Sequence, residues 1–543
     1  MSNEIHGRQP LHKSRNPFTC GLTGRTATPA QVFLRSDHLS RALARRTGWA
    51  PNDHLTPWDK VVAIFSINTI DYIIPVWATH KLNGIVSPAN AAYTAEELEH
   101  QLRSSGATVL FTCIPLLDTA LKAAEAVGIK RDFIFLLPTV GEDAASVLFP
   151  TVEHLITEGG ALDSLPPLKW AKGQGTEQVA FITCSSGTSG LPKALLVSHY
   201  NVICNVMAHV AFDVVARKRR GFETEVELGL VPMSHMYGLL VVSHTATWRG
   251  DEIIVLPKFE FESYLNSIQK YRIERLLVVP PMIVAMLARR ELCAMYDLSS
   301  VRFVFCGAAP LGEETIASLA EVYPNWTVGQ AYGMTETAVI VSNTSEDDVI
   351  MGSAGSLLPG TRAKIVDPVS GEEITSYDTS GELWVQSPSV VLGYLDNEQA
   401  TAETFVHDND GRWVKTGDKA YITTSPQGNE HIFIVDRIKE LIKVKGQQVA
   451  PAELEAHLLT HPAVSDVAVT RVPDARAGEL PKAFVVRAPE YKGVPDSEVA
   501  NMVFKHVADH KAPFKWITGG VEFVNSIPKS PSGKVLRRFL RTC

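Results

Sequence analysis

Cysteine is sparse and unpatterned. The seven residues, Cys20, Cys113, Cys184, Cys204, Cys293, Cys306 and Cys543, include no C-x-x-C pair. An odd, scattered set of thiols argues against a disulfide framework and against structural zinc, and suits a reducing compartment. An excess of one charge is also missing. Lys+Arg 51 against Asp+Glu 59 leaves a net charge of −8, which gives no general attraction to nucleic acid or to anionic membranes. The one dense basic run, Arg217 to Arg220 (RKRR), reads as a solvated loop. No apolar run is long enough to span a bilayer, because the stretch from Leu228 to Val242 is broken by Ser234 and His235. The first twenty residues carry no apolar h-region, and Arg541-Thr542-Cys543 does not match the Ser-Lys-Leu peroxisomal address. These absences together predict a cytoplasmic protein. A Walker A loop, Gly-x4-Gly-Lys-Ser/Thr, is lacking as well.

What is present is a different polyanion-binding signal, TCSSGTSGLPK at Thr183 to Lys193. Here Gly187 and Gly190 are too close together for Walker A, and Ala194 follows the lysine. Glycines let backbone N–H groups converge on one point, the Ser and Thr hydroxyls add short donors, and Lys193 adds a charge at arm's length. Taken alone, a Ser/Thr/Gly/Pro cluster after the apolar run VAFIT reads first as an ordinary loop. The rest of the chain decides otherwise.

A chain of 543 residues is too long for one core. Residues 61–67 (VVAIFSI) read as a strand buried on both faces. Thr94-Ala-Glu-Glu97 is a capping box opening a helix to about Ser104. ATVLFT, a helix over 115–127 and DFIFLL follow, and such alternation implies right-handed βαβ units around a mainly parallel sheet. A second alternating block runs from about Val179 to Met334, with strands VAFIT, DEIIVL, RLLVV and VRFVF and a helix at Phe261 to Tyr271. From about 352 to 435 short alternating strands (RAKIVD, GELWVQ, HIFIV) and Gly, Asp and Pro turns predict a β-rich subdomain. Beyond Asp436 the pattern is α+β, with helices at Ala452–Leu459 and Glu498–His510. The predicted fold is therefore α/β. Residues 1–437 form a large domain of two βαβ-layered sheets plus the β-rich part, and residues 438–543 a small mobile α+β domain.

Five further segments accompany the loop: VPMSHMYGL (231–239), GQAYGMTET (329–337), VKTGD (414–418), IVDRIKELIKVKGQQVAP (434–451) and IPKSPSGKVLRR (527–538). In order and spacing they resemble the acyl-adenylate-forming (AMP-binding) superfamily, nearest to its 4-coumarate–CoA ligase and firefly-luciferase branch of acyl-CoA synthetases. The resemblance runs from about Thr56 to Arg538. It implies a two-step reaction in which a carboxylate attacks the α-phosphate of ATP and coenzyme A then displaces AMP. Bringing an anion to a tetra-anion demands cations and oriented donors more than a general base.

The resemblance implies residue roles. Ser185, Ser186, Gly187, Thr188, Ser189 and Lys193 would hold the β- and γ-phosphates, Glu336 would hold Mg²⁺, and Thr335 would donate to the α-phosphate. Gln330, Ala331 and Tyr332 would flank the nucleotide, with Tyr332 offering its ring to adenine opposite Gly307-Ala308-Ala309, and Asp418 would accept from the ribose hydroxyls. Lys534 would bridge the carboxylate and the α-phosphate, Arg437 would contact the ribose, and Lys439 would be the hinge. Lys443 and Gln448 would meet the adenylate in a second, thioester-forming arrangement, and Lys258, Lys445 and Gly446 would touch coenzyme A. His235 would gate an acyl pocket walled by Tyr237, Phe305, Ala308 and Ala331. Phe305 stands where related enzymes often carry a lysine, and Ala331 stands in place of a glycine. A phenol hydroxyl left unpaired beside Phe305 would cost ~1–3 kcal/mol, so the expected substrate is an apolar aromatic or medium-chain acid rather than 4-coumarate. Other readings are a ligase loading a carrier-protein thiol in trans, a luciferin oxygenase, and a nucleotide-binding module without catalysis. The presence together of Lys534, Glu336 and Lys443 argues against the last.

Overall fold

The computed structural model describes residues 7–142, 148–185, 193–530 and 533–540. Two large sheets carry the first three hundred and fifty or so residues. In the seven-stranded sheet the order is 393–394, 193–198, 179–185, 85–89, 61–65, 109–112 and 134–136. The run 85–89, 61–65, 109–112, 134–136 is parallel throughout. All five residues of Val61–Phe65 are buried, as a strand covered on both faces requires. The helix between the strands at 85–89 and 109–112 is Ala95–Ser105, opened by the expected box: Thr94 accepts from Glu97 N, and the Glu97 carboxylate accepts from Thr94 N.

The nine-stranded sheet runs 356–357, 339–343, 327–334, 303–306, 275–278, 226–229, 252–255, 18–20 and 26–27. Its centre is parallel and its two ends antiparallel. Sheet membership differs from chain order in one respect. VAFIT, grouped by sequence with the second block, pairs with the strand 85–89 through Val86 and Phe181 and belongs to the first sheet. The strands at 18–20 and 226–229 were hidden in sequence, being only three and four residues long.

The RKRR run is a second departure. It closes the helix His199–Arg220, capped at its start by Ser198 and Asn201 and at its end by left-handed Gly221. Basic residues complement a helix C-terminus, and Arg217 turns inward, donating to Asp251 at 2.6 and 2.9 Å. With Arg249 and Arg275 it neutralises Asp213, Glu225 and Asp251 in one buried ionic cluster beneath the nine-stranded sheet.

The β-rich region is a six-stranded antiparallel sheet over 362–437, dominated by the long strands 411–424 and 430–437. Beyond it lies a five-stranded sheet, 442–444, 447–449, 464–474, 478–487 and 521–523, with helices Pro451–Leu458 and Asp496–His510. That last unit has its own core, built on Leu454, Leu458, Val467, Val485, Val499 and Val503. The six cysteines among the described residues are all free. No helix among the described residues is long and apolar enough to cross a membrane.

Candidate active site

A cavity of about 500 Å³ opens where the nine-stranded sheet, the β-rich sheet and the C-terminal unit meet. One end is polar and cationic, lined by Lys193, Thr335, Glu336, Arg437, Lys439 and Lys534. The other is apolar, lined by Met236, Tyr237, Phe305, Gly307, Ala308 and Ala331, and His235 is also in its wall. Segments separated by hundreds of residues in sequence thus supply one site.

The loop bearing Thr335 and Glu336 is a single 3₁₀ turn after a kinked strand. Strand 327–334 pairs with 339–343, and the register slips between Tyr332 and Gly333. At that bulge the backbones close so tightly that a Cβ on Gly333 would sit 1.5 Å from Val339 O. Ala338 and Val339 have φ of 50° and 109°, and Ala308 across the cavity has φ 69°. Three non-glycine residues in sparsely populated backbone regions around one cavity are strain of the kind that collects at functional sites. The turn is propped from behind. Asn205 Nδ2 donates to Ile340 O at 2.8 Å, Val391 N donates to Glu336 O at 3.0 Å, and Asn201 Nδ2 donates to Val390 O at 3.0 Å. Tyr394 donates its hydroxyl to Glu336 Oε1 at 2.8 Å, and Lys193 Nζ lies 5.0 Å over the Tyr394 ring. Asn201, Asn205 and Tyr394 lie outside every motif, and the sequence carries no sign of them.

Asp418 and Arg437 are Cα partners on adjacent strands, which places opposite charges face to face. Arg437 Nε is 3.3 Å from Asp418 Oδ1, and the Tyr332 hydroxyl donates to Asp418 Oδ2 at 2.6 Å. Burial, then the Asp418 carboxylate, holds the Tyr332 phenol protonated, well above its usual range. Asp418 keeps acceptor capacity beyond these two partners, because an ionised carboxylate has about four lone-pair sites.

Lys534 reaches this cavity from the C-terminal unit. Burial, and then the Arg437 guanidinium, lower it to about 8, while Asp418, Glu336 and Glu440 pull the other way. His235 is driven to about 4 by burial first and by Lys534 second. Its ring is therefore neutral at neutral pH. Nδ1 accepts from Tyr237 N at 3.2 Å, so the proton is on Nε2.

At the apolar end the Tyr237 hydroxyl is committed to Phe305 O at 3.1 Å. Phe305, 1% exposed, is packed between His209 (centroids 5.9 Å apart) and Tyr237 (6.0 Å). Phe305 brings no hydrogen-bonding group to this wall, and the Tyr237 proton is already donated.

Several expected contacts lie elsewhere. Gln330 does not line the cavity: Oε1 accepts from Leu311 N at 2.7 Å and Nε2 donates to Ser353 O at 3.5 Å. Its amide pins the loop after Ala309 and has no part in the cavity wall. Lys443, Lys445, Gly446 and Gln448 are exposed, outside the cavity. Lys445 and Gly446 form a two-residue hairpin turn with φ of 49° and 81°, the backbone a type I′ turn requires. Gln448 accepts from Lys419 Nζ at 2.7 Å. Lys258 is exposed, paired with Glu260 at 2.7 Å. Ser186, Gly187, Thr188 and Ser189 lie outside the described residues; Ser185 and Lys193 are Cα partners at the ends of the two strands that flank them.

Comparison with known proteins agrees with this geometry. The profile of the family described as "AMP-binding enzyme" matches residues 9–395, and that of "AMP-binding enzyme C-terminal domain" matches residues 453–534. The acyl-CoA ligase cm3C of Cordyceps militaris is 40% identical, covering 100% of this chain and 86% of its own length. The acyl-CoA ligase AKT1 of Alternaria alternata is 42% identical, covering 97% of this chain and 90% of its own. Among solved structures, the anthranilate CoA ligase AuaEII in complex with anthranoyl-AMP superposes with a TM-score of 0.80 over 99% of this chain and 98% of that one at 21% identity, a likeness of fold. The chain belongs to the AMP-binding enzyme family.

Proposed function

We propose that this enzyme, an AMP-forming ATP-dependent acyl-CoA ligase, activates an apolar aromatic or medium-chain carboxylic acid and does so by alternating two placements of its C-terminal domain. The observation that carries the second part is a division among lysines. Lys534 stands inside the cavity with Arg437, while Lys443, Lys445 and Gly446 face solvent. This arrangement is equipped for the first half-reaction only.

In that step a carboxylate oxygen bonds to the α-phosphorus of ATP, the bond to the β-phosphate breaks, and pyrophosphate leaves with the electron pair. Lys534 offsets the charge of the two anions as they meet, and Thr335 donates to the α-phosphate. Asp418 accepts from the ribose hydroxyls. Lys193 stands beside Tyr394 where the phosphate chain would end. Mg²⁺ fits the donor set here, since Glu336 offers a carboxylate among phosphate-binding cations, and a bound ion would offset the charge of the leaving pyrophosphate. His235, neutral and protonated on Nε2, can donate to the acid's oxygen without competing for its charge. In the second step the coenzyme A thiolate attacks the acyl carbonyl and AMP departs. Rotation about Lys439 withdraws Lys534 and brings the hairpin at Lys445-Gly446 toward the cavity, a change a few boundary residues can absorb. Free thiols and the lack of a crossing helix among the described residues support a cytoplasmic enzyme.

The apolar floor supports the substrate class. A hydroxyl placed against Phe305 meets a ring with no hydrogen-bonding group, and the neighbouring Tyr237 has already given its proton to Phe305 O, so only its oxygen is left, as an acceptor. The test is ATP–pyrophosphate exchange over a panel of acids, with thioester formation followed after adding coenzyme A. Cinnamate-like, benzoate-like or medium-chain acids should support both, and cinnamate should exceed 4-coumarate in kcat/KM. A preference for 4-coumarate would overturn the reading of the pocket. Exchange without thioester for every acid would overturn coenzyme A as acceptor.

A further inference from the structure

Lys534 is delivered to the cavity by a segment with little regular structure of its own. Among the described residues, 527–540 hold one isolated bridge, between Lys529 and Val535, and one 3₁₀ turn, Arg537–Phe539. Backbone bonds fold the segment into a narrow loop. Ser530 N donates to Lys534 O, Gly533 N to Ser530 O and Leu536 N to Pro528 O, each at 2.8 Å. Gly533 turns the chain with φ of 82°, a conformation that favours glycine. These bonds are internal to the loop, so they shape it without fixing where it points.

Its direction comes from the body of the C-terminal unit. Ile527 and Leu540 root the two ends in a small apolar cluster with Ala468 and Phe484. Two ion pairs then flank the lysine. Lys529 Nζ donates to the Asp466 carboxylate at 2.7 and 2.8 Å. Arg537 Nη2 donates to both oxygens of Glu455 at 2.6 and 2.7 Å, and Arg537 Nε donates to Val469 O at 3.1 Å. Val469 N in turn donates to Glu455 Oε1 at 2.7 Å. Arg537, Glu455 and the peptide groups of Val469 therefore close one ring of hydrogen bonds.

The two pairs differ in depth. The Arg537 and Glu455 side chains are each 13% exposed, against 23% and 29% for Lys529 and Asp466. A planar guanidinium with a rigid fork of donors holds a carboxylate and a carbonyl at once, and does so more firmly than an ammonium on a flexible stem. The carboxylates of Asp436 and Glu440 also act on this guanidinium electrostatically. The deeper pair is the nearer one as well. Arg537 follows Lys534 by three residues, at most ~10 Å of chain. Neither Arg537 nor Glu455 lines the cavity. Glu455, Asp466 and Val469 all belong to the C-terminal unit, so these ties travel with it in either placement.

We infer that Arg537, clamped by Glu455 and Val469, is a positioning residue that aims Lys534 into the cavity for adenylation. The inference rests on the proposed role of Lys534. Arg537 touches neither ATP nor acid and acts by limiting where the lysine ammonium can sit. A misplacement of ~1 Å costs up to ~10² in rate even when its cause is remote from the chemistry. Loss of the clamp thus weakens adenylation and spares thioester formation, in which Lys534 is withdrawn.

The experiment follows both half-reactions in full-length Arg537→Ala, Arg537→Lys, Glu455→Gln and Lys534→Ala. ATP–pyrophosphate exchange reports the first. Conversion of supplied acyl-AMP and coenzyme A to thioester reports the second. The probe is whichever acid of the panel gives the fastest exchange, with its adenylate. Arg537→Ala and Glu455→Gln should each lower exchange at least roughly tenfold relative to thioester formation. Arg537→Lys should lose less than Arg537→Ala, because a charge still faces Glu455. A merely structural pair would lower both half-reactions together, and that result, or a split smaller than tenfold, would overturn the positioning role. A lysine variant no better than alanine would overturn the ion pair as the tie. If Arg537→Ala does not fold, as judged by circular dichroism, Glu455→Gln decides, since it keeps an acceptor for Val469 N. Lys534→Ala separates this inference from the reading beneath it. Exchange retained in that variant refutes both. Exchange lost there but kept in Arg537→Ala refutes the positioning role alone.

Discussion

Lys534 is held at about 8 by burial and by the Arg437 guanidinium, with the carboxylates of Asp418 and Glu336 opposing. The sign of the consequence is fixed. A lysine must be protonated to bridge a carboxylate and a phosphate, so adenylation activity is complete below the lowered value and falls as pH rises through it. The kcat/KM profile for the exchange reaction should show an alkaline limb near 8, reporting the free enzyme. In kcat the limb should lie higher, because bound ATP favours the charged amine. An unperturbed limb near 10 in kcat/KM would show that Lys534 is not in this environment. At the other end of the cavity Phe305 decides by shape alone. Phe305→Leu should lower stability by about 1–2 kcal/mol, as a shortened buried side chain does, and should shift kcat/KM toward bulkier acids, which paired kinetics would detect.

Between residues and the whole, the kinked pair of strands 327–334 and 339–343 does most to shape the site. Gly333→Ala cannot be accommodated by a side-chain shift, because the atom it meets is the backbone oxygen of Val339. It should separate the strands at the bulge, displace Thr335 and Glu336 together, and cut exchange activity by ~10² or more, on the scale of losing a preorganised donor. A Gly333→Ala enzyme with full exchange activity would contradict the bulge as the organiser of the turn. The buried ionic cluster has a comparable structural role. Arg249→Ala should cost ~3–5 kcal/mol in chemical denaturation, since it removes the close partner of buried Glu227 and leaves Asp213 and Asp251 with one guanidinium each, those of Arg275 and Arg217. How legible all this is in sequence varies with distance along the chain. Contiguous signals survive intact: the Thr94 capping box, the helix ending at Tyr271 and the strand Val61–Phe65 stand where the pattern predicts. A charge run on its own says nothing of Asp251, thirty-four residues on from Arg217. Motif membership does not reveal that Leu311 N claims the oxygen of Gln330. Tyr394 was invisible because a lone tyrosine after glycine carries no signal until the fold brings it to Glu336.

At the scale of the molecule the central feature is that one C-terminal unit, with its own core, supplies Lys534 to the cavity while its Lys443 and Lys445 lie outside it. The strand 430–437 ends on the N-terminal side of the junction, and Asp436 accepts from Ala452 N at 3.0 Å on the other. Burial raises this carboxyl to about 6. A raised acid favours the structure at low pH, and that contribution is lost as pH rises from its unfolded value near 4 through 6. The Arg537 guanidinium and the Ala452 and Arg437 N–H groups favour its ionised form, and burial opposes them. The measurement that tests the account most directly separates the two half-reactions in Lys534→Ala. ATP–pyrophosphate exchange should fall by ~10² or more, while conversion of supplied acyl-AMP and coenzyme A to thioester stays near that of the unaltered enzyme. Equal loss of both half-reactions, or retention of exchange, would contradict domain alternation with Lys534 as the adenylating lysine.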